Sequence, residues 1–209
     1  PGYQVTFALM LTSAIITCAL TTRLKDHAKM SAQAAFRTKV LFDTNQLLQR
    51  AKSEEEILSQ TASQLMKLLN RNLIVYPEQN GDLGSEQLFS VDGEVPCNIF
   101  SAPEERDAAN WTFANKKRSG AGTDSYPDAK GLYLALRTGG GVFGVIGIDL
   151  SEKPLDAFEN SVLLSILGEG ALAIENRRNA LEKEQAALQA RNEELRANLL
   201  RTISHDLRT

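Results

Sequence analysis

The chain has 209 residues, a hydrophobic share of 43% and a formal net charge of −3, which fits one or two domains around a buried core. That slight acidity excludes a global pull toward nucleic acid, and 6% aromatic content leaves few stacking platforms for single strands, so no nucleic-acid partner is expected. Cys18 and Cys97 lie far apart and make neither a disulfide framework nor a metal cluster, which suits a reducing compartment; no metal site is expected.

Residues Val5 to Leu20 carry no charge. Extended from Tyr3 to Thr22, the run reaches about 20 residues, enough to cross a hydrocarbon core as a helix. It is apolar all round, as suits a helix surrounded by lipid, and its threonines can return hydrogen bonds to their own helix. Arg23, Lys25 and Lys29 follow at once, and such a basic flank places the chain after about residue 23 in the cytoplasm. Residues 1–22 are read as a transmembrane helix and 23–50 as a juxtamembrane helix with a solvated His27. A signal-peptide core and a buried helix of a soluble domain are the competing readings. Pro1 and the helical character of the last residues suggest a fragment of a longer protein.

From residue 51 the pattern changes. Ser53 and Glu56 form a capping box, and Ile57, Leu58, Thr61, Ala62, Leu65, Met66 and Leu69 recur at helical spacing up to Asn70. Leu73 to Tyr76 reads as a strand, Gln79 to Asp82 as a turn, and Gln87 to Val91 as a second strand before an Asp92-Gly93 turn. Ser101-Ala102-Pro103-Glu104 starts another helix, with Trp111 read as core. A polar, glycine-bearing loop follows, KKRSGAGTDSYPDAKG. Two strands come next, Leu132 to Leu136 and Gly141 to Asp149, joined as a hairpin and glycine-rich where something packs closely. The fold class is α+β: an antiparallel sheet flanked by helices, grouped on one side, over residues 51–170. Gly139-Gly140-Gly141 is read as a hairpin turn, because no helix N-terminus follows it to face a phosphate. Cys97 is read as a core or surface cysteine rather than a cofactor attachment point. The loop around Gly120, Gly122, Thr123 and Asp124 is the candidate ligand rim, since glycines let backbone amides approach a ligand.

After Pro154 the chain reads as one helix to its end. Leu164, Leu167, Ala171, Ile174, Leu181, Leu188, Leu195 and Leu199 fall on the a and d positions of a heptad, with Arg178, Gln185 and Asn192 also at a. Residues 171–200 are read as a signalling coiled coil and the protein as a homodimer; an amphipathic helix packed on its own domain is the alternative.

The last residues, Ser204-His205-Asp206-Leu207-Arg208-Thr209, resemble the phosphoacceptor box of bacterial sensor histidine kinases. The resemblance implies that His205 accepts phosphate, that Asp206 is the general base and that Thr209 positions water for dephosphorylating a partner; residues 201–209 would begin the histidine phosphoacceptor (dimerisation) domain. Gly120-Ala121-Gly122-Thr123-Asp124, Gly131 to Arg137 and Gly141 to Gly147 resemble the GAF domain of KdpD-type potassium-responsive sensor kinases. That resemblance covers nearly the whole chain as a central slice. It implies a membrane protein that is autophosphorylated from ATP and passes phosphate to a response regulator (KdpE-like) controlling potassium uptake genes. ATP and Mg²⁺ would be held by a catalytic domain outside residues 1–209, so these residues alone should be inactive. The signature of cyclic-nucleotide-binding GAF domains is not matched. A non-enzymatic GAF binding or dimerisation module, a sensor kinase for another stimulus, and a GAF domain feeding a cyclase are the rival functions.

Overall fold

The computed structural model describes residues 2–91 and 99–206, so Cys97, the Asp92-Gly93 turn and Thr209 lie outside the described residues. The chain divides into two compact units, residues 1–43 and 44–209.

The first unit belongs to α1 (Gly2–Arg50). The hydroxyls of Thr17, Thr21 and Thr22 donate to the carbonyls of Ser13, Thr17 and Cys18 at 2.7, 2.8 and 3.0 Å. These three threonines thus return their hydrogen bonds to their own helix, as the sequence predicts. Met10, Ile16 and Leu20 are exposed, and so is His27.

The second unit is built around a sheet. Helix α2 (Glu54–Leu69) starts at Ser53, whose Oγ accepts from the Glu56 amide at 3.1 Å. The Glu56 carboxylate reaches back to the Lys52 amide at 2.7 Å, one residue before the cap. The helix buries Ile57, Leu58, Thr61, Ala62, Leu65 and Leu69, and Asn70 closes it in the left-handed conformation. Strand β1 (Leu73–Gln79) pairs antiparallel with β2 (Asp82–Leu83), β3 (Gln87–Phe89) and β6 (Val142–Asp149). Strand β5 (Gly131–Arg137) pairs with β6, and β4 (Ser119–Gly120) pairs with β5. The order is β2-β1-β6-β5-β4, with β3 beside β1. The two-residue β4 lies inside the segment read as loop; its glycine and polar residues carry no strand signal.

The helices do not group on one side, which corrects the expectation. Side chains alternate between faces along a strand, and β1, β5 and β6 are buried at nearly every position. Both faces therefore need cover. Helix α3 (Pro103–Asn115) packs its Ala108 and Ala109 with Ile74, Tyr76, Tyr133 and Val145 on one face. Helices α2 and α4 (Ala157–Asp206) contact each other and, respectively, β1 and β5, and α4 buries Leu163, Ile166 and Ile174. The hairpin between β5 and β6 closes with the Thr138 amide donating to the Gly141 carbonyl at 3.0 Å. Strand β6 tolerates close neighbours as expected: a Cβ on Gly144 would lie 2.7 Å from the Tyr76 carbonyl oxygen of β1.

By length and composition α4 could also cross a membrane over Ala157–Asn198. Its apolar residues Val162, Leu163, Ile166, Leu167, Ala171 and Ile174 are buried within the unit, so we assign the part from Val162 to Ile174 to the core.

Candidate functional site

Three features carry candidate chemistry: the glycine-bearing rim, the anchorage of α4, and the end of α4. The rim is knitted by its own backbone. The Gly120 amide donates to the Ser125 carbonyl at 2.8 Å and the Thr123 amide to the Gly120 carbonyl at 3.0 Å. The Thr123 hydroxyl lies 2.8 Å from both carbonyl oxygens. Gly120 is buried in β4 with φ +93°, a conformation open to glycine. Gly122, Thr123 and Asp124 line a groove of about 890 Å³. Trp111 also lines it and is only partly buried, which corrects its reading as core: it sits in the last turns of α3, where the sheet edge ends.

The groove exists because β4 and β5 part company. Ser119 pairs with Tyr133 and Gly120 with Leu132. The same register would set Arg118 against Leu134 and Lys117 against Ala135. Pairing stops there, and Lys117, Arg118, Leu134 and Ala135 line the groove.

Helix α4 is fixed at both ends of its embedded part. Asp156 and Glu159 cap it reciprocally at 2.9 and 2.7 Å. The buried Arg71 donates to the carbonyls of Asp149 and Lys153 at 3.1 and 2.8 Å just before it. Where the helix leaves the sheet, Arg178 donates to both oxygens of Glu54 at 2.8–3.0 Å and to Glu78 at 3.0 Å. Its guanidinium also lies 5.0 Å from the Phe143 ring centre. Beside it, Arg177 donates to the Lys52 carbonyl at 2.7 Å and Thr138 to Glu175 at 2.9 Å. These contacts tie α4 to the start of α2, the end of β1 and the β5–β6 turn.

This anchorage revises the heptad reading. Leu167, Ala171 and Ile174 are buried in the protein's own domain, and Arg178 at position a is spent on the clasp. Only beyond it do d-position leucines stand free: Leu181, Leu188 and Leu195 are 41, 57 and 55% exposed.

The clasp is half-exposed, with Arg178 and Glu54 side chains 38 and 33% accessible, so solvent screens it. Arg178→Ala is expected to cost about 1–2 kcal/mol, read as a lower denaturation midpoint. The Glu78 carboxyl is held below the usual carboxylate range, first by the Gly81 amide and then by Arg178. Its contribution is therefore complete above the ordinary carboxylate pKa and is lost as pH falls through the lowered value. Glu78→Gln should flatten that acid limb of the stability curve; an unchanged limb in a pH series of urea melts would contradict the assignment.

The end of α4 carries the phosphoacceptor residues named from sequence. The helical backbone reaches His205 and Asp206, about 45 Å beyond Ile174 at 1.5 Å per residue; Thr209 lies outside the described residues. Sequence reasoning missed the clasp, which joins residues 100 and 124 positions apart, and the short β4 that opens the groove.

The antiparallel sheet with α2 and α4 on one face and α3 on the other has a GAF-like fold. It superposes on the GAF domain of the potassium sensor histidine kinase KdpD from Escherichia coli with TM-score 0.51 and 22% identity, covering 72% of this chain and 99% of that one. Over its whole length the chain corresponds to a stretch of KdpD-type sensor proteins. It is 33% identical over 209 residues to sensor protein KdpD of Clostridium acetobutylicum, which covers 100% of this chain and 23% of the relative. It is 28% identical over 211 aligned positions to sensor protein KdpD of Escherichia coli K12, covering 99% and 22%. The chain thus spans about a quarter of the length of these curated relatives. No protein-family model matches it.

Proposed function

We propose that the chain is the sensory and phosphoacceptor segment of a two-component membrane sensor histidine kinase that governs potassium uptake genes. The observation that carries this reading is the end-to-end correspondence with KdpD sensor proteins, joined to one helix that runs from the GAF sheet to His205 and Asp206. Residues 1–22 span the membrane and the rest lies in the cytoplasm. The exposed Met10, Ile16 and Leu20 support this. Two copies pair through the free leucines of α4 in a parallel coil.

The chemistry follows from the residue types. A neutral imidazole is a nitrogen nucleophile near pH 7. A nitrogen lone pair of His205 attacks the γ-phosphorus of ATP, the bond to the bridging oxygen breaks, and ADP leaves. Asp206 takes the ring proton as general base. A catalytic domain elsewhere in the protein holds ATP and supplies Mg²⁺ to neutralise the phosphate charge. The phosphoryl group then passes to an aspartate of a KdpE-like response regulator, and Thr209 positions the water that hydrolyses that phosphoaspartate to inorganic phosphate. The clasp at Arg178 transmits a change in the GAF domain to the coil, because it fixes how α4 leaves the sheet.

The test is to place this segment in the Escherichia coli KdpD protein in place of its own and to follow target-gene expression at low and high external potassium. The wild-type segment is expected to restore the response and His205→Gln to abolish it. A response retained by His205→Gln would make the segment a binding or dimerisation module.

A further inference from the structure

The groove beside β5 has a charge pattern that the phosphoacceptor reading does not use. Lys116, Lys117 and Arg118 leave α3 along one wall, and Arg137 reaches the other wall from β5. All are exposed, and none makes an ion pair among the described residues, where the pairs involve Arg71, Lys153 and Arg178. The rim offers one carboxylate against them, Asp124. Gathering cations without partners costs repulsion that a bound anion would remove. The floor is apolar, from Leu134 and Leu167, and Trp111 stands beside it. The volume of about 890 Å³ falls in the range of small-molecule sites, roughly 300–1,000 Å³. The rim is already held in place by the Thr123 and Gly120 bonds, so little ordering would be needed on binding.

We propose that this groove binds a small organic phosphate. The arginine forks and lysine ammonium groups take the phosphate oxygens, and the indole of Trp111 and the leucine floor cover an apolar or planar body. A soluble nucleoside monophosphate and a phospholipid headgroup share this chemistry. The site involves no phosphoryl transfer and stands apart from His205.

Trp111 is the single tryptophan of the chain, so its fluorescence reports on the groove. The full chain would be placed in phosphatidylcholine nanodiscs and titrated with AMP and with pyrophosphate, with excitation at the red edge of the indole band. A second set of discs would contain phosphatidylglycerol. A saturable change with AMP, weakened about tenfold or more in Arg118→Gln/Arg137→Gln and unaltered in Lys67→Gln, is the expected result for a soluble ligand. A Trp111 difference between the two disc types, lost in the same double variant, would place the phosphate on the lipid. Silence toward AMP, pyrophosphate and phosphatidylglycerol alike, or a change that the double variant keeps, would overturn the proposal. Either result leaves the His205 experiment unaffected, so the two readings fail separately.

Discussion

Glu105→Ala is expected to destabilise the domain by about 3–5 kcal/mol, because it leaves buried donors unmet at about 1–3 kcal/mol each. Glu105 is 1% exposed. Its carboxylate accepts from the Lys130 amide at 2.6 Å, the Gly131 amide at 3.1 Å and the Tyr133 hydroxyl at 2.7 Å. It therefore joins the first turn of α3 to the start of β5. Burial pushes the Tyr133 hydroxyl far above its ordinary pKa, and the bond to Glu105 adds to this, so Tyr133 remains a donor throughout the accessible pH range. A loss of this size is a large part of the roughly 5–15 kcal/mol that holds a domain together. Glu105→Gln keeps one acceptor oxygen and should lose less. Equal urea midpoints for wild type and Glu105→Ala would show that the carboxylate bears no part of the fold.

Gly144→Val is the second large effect, with an expected cost of about 3 kcal/mol from overpacking. Gly144 faces Pro77 across the β1–β6 ladder, and its added Cβ would press on backbone, the Tyr76 carbonyl oxygen at 2.7 Å. A backbone neighbour in the middle of a sheet cannot rotate away as a side chain can. For a domain of this size the melting temperature should fall by roughly 6–12 °C. Gly139→Ala is the internal control: an added Cβ there meets nothing within 4 Å, and its melt should match wild type. Two matching melts would contradict the packing described for β6.

Much of the fold could be read from local chemistry. Ser53 and Glu56 announce α2, and the Asn80-Gly81 pair, with φ of 54° and 92°, announces the β1–β2 turn. What failed was the reading of faces. Leu73 to Tyr76 and Val142 to Ile148 are continuous apolar runs, the mark of strands buried on both sides, and the helices accordingly cover both. The heptad misled for a related reason. A stripe every three or four residues looks alike whether it meets a sheet or a second helix, so Leu167 and Ile174 fit the coil pattern while packing at home. The site was legible in part. Gly122, Thr123 and Asp124, singled out from the sequence, line the groove, whereas Arg137 joins Lys116 to Arg118 only through β5, a relation no local pattern carries. Glu105 looks like an ordinary acidic residue of a first helical turn, and only the return of β5 reveals its donors.

The central claim is that His205 carries the phosphoryl group. The most direct measurement is to purify the KdpD chimera carrying this segment, incubate it with labelled ATP and Mg²⁺, and locate acid-labile label by mass spectrometry. The account predicts label on His205 in the wild type and none in a folded His205→Gln protein. Label that persists in His205→Gln, or none on a wild type whose GAF domain still melts cooperatively, would contradict it.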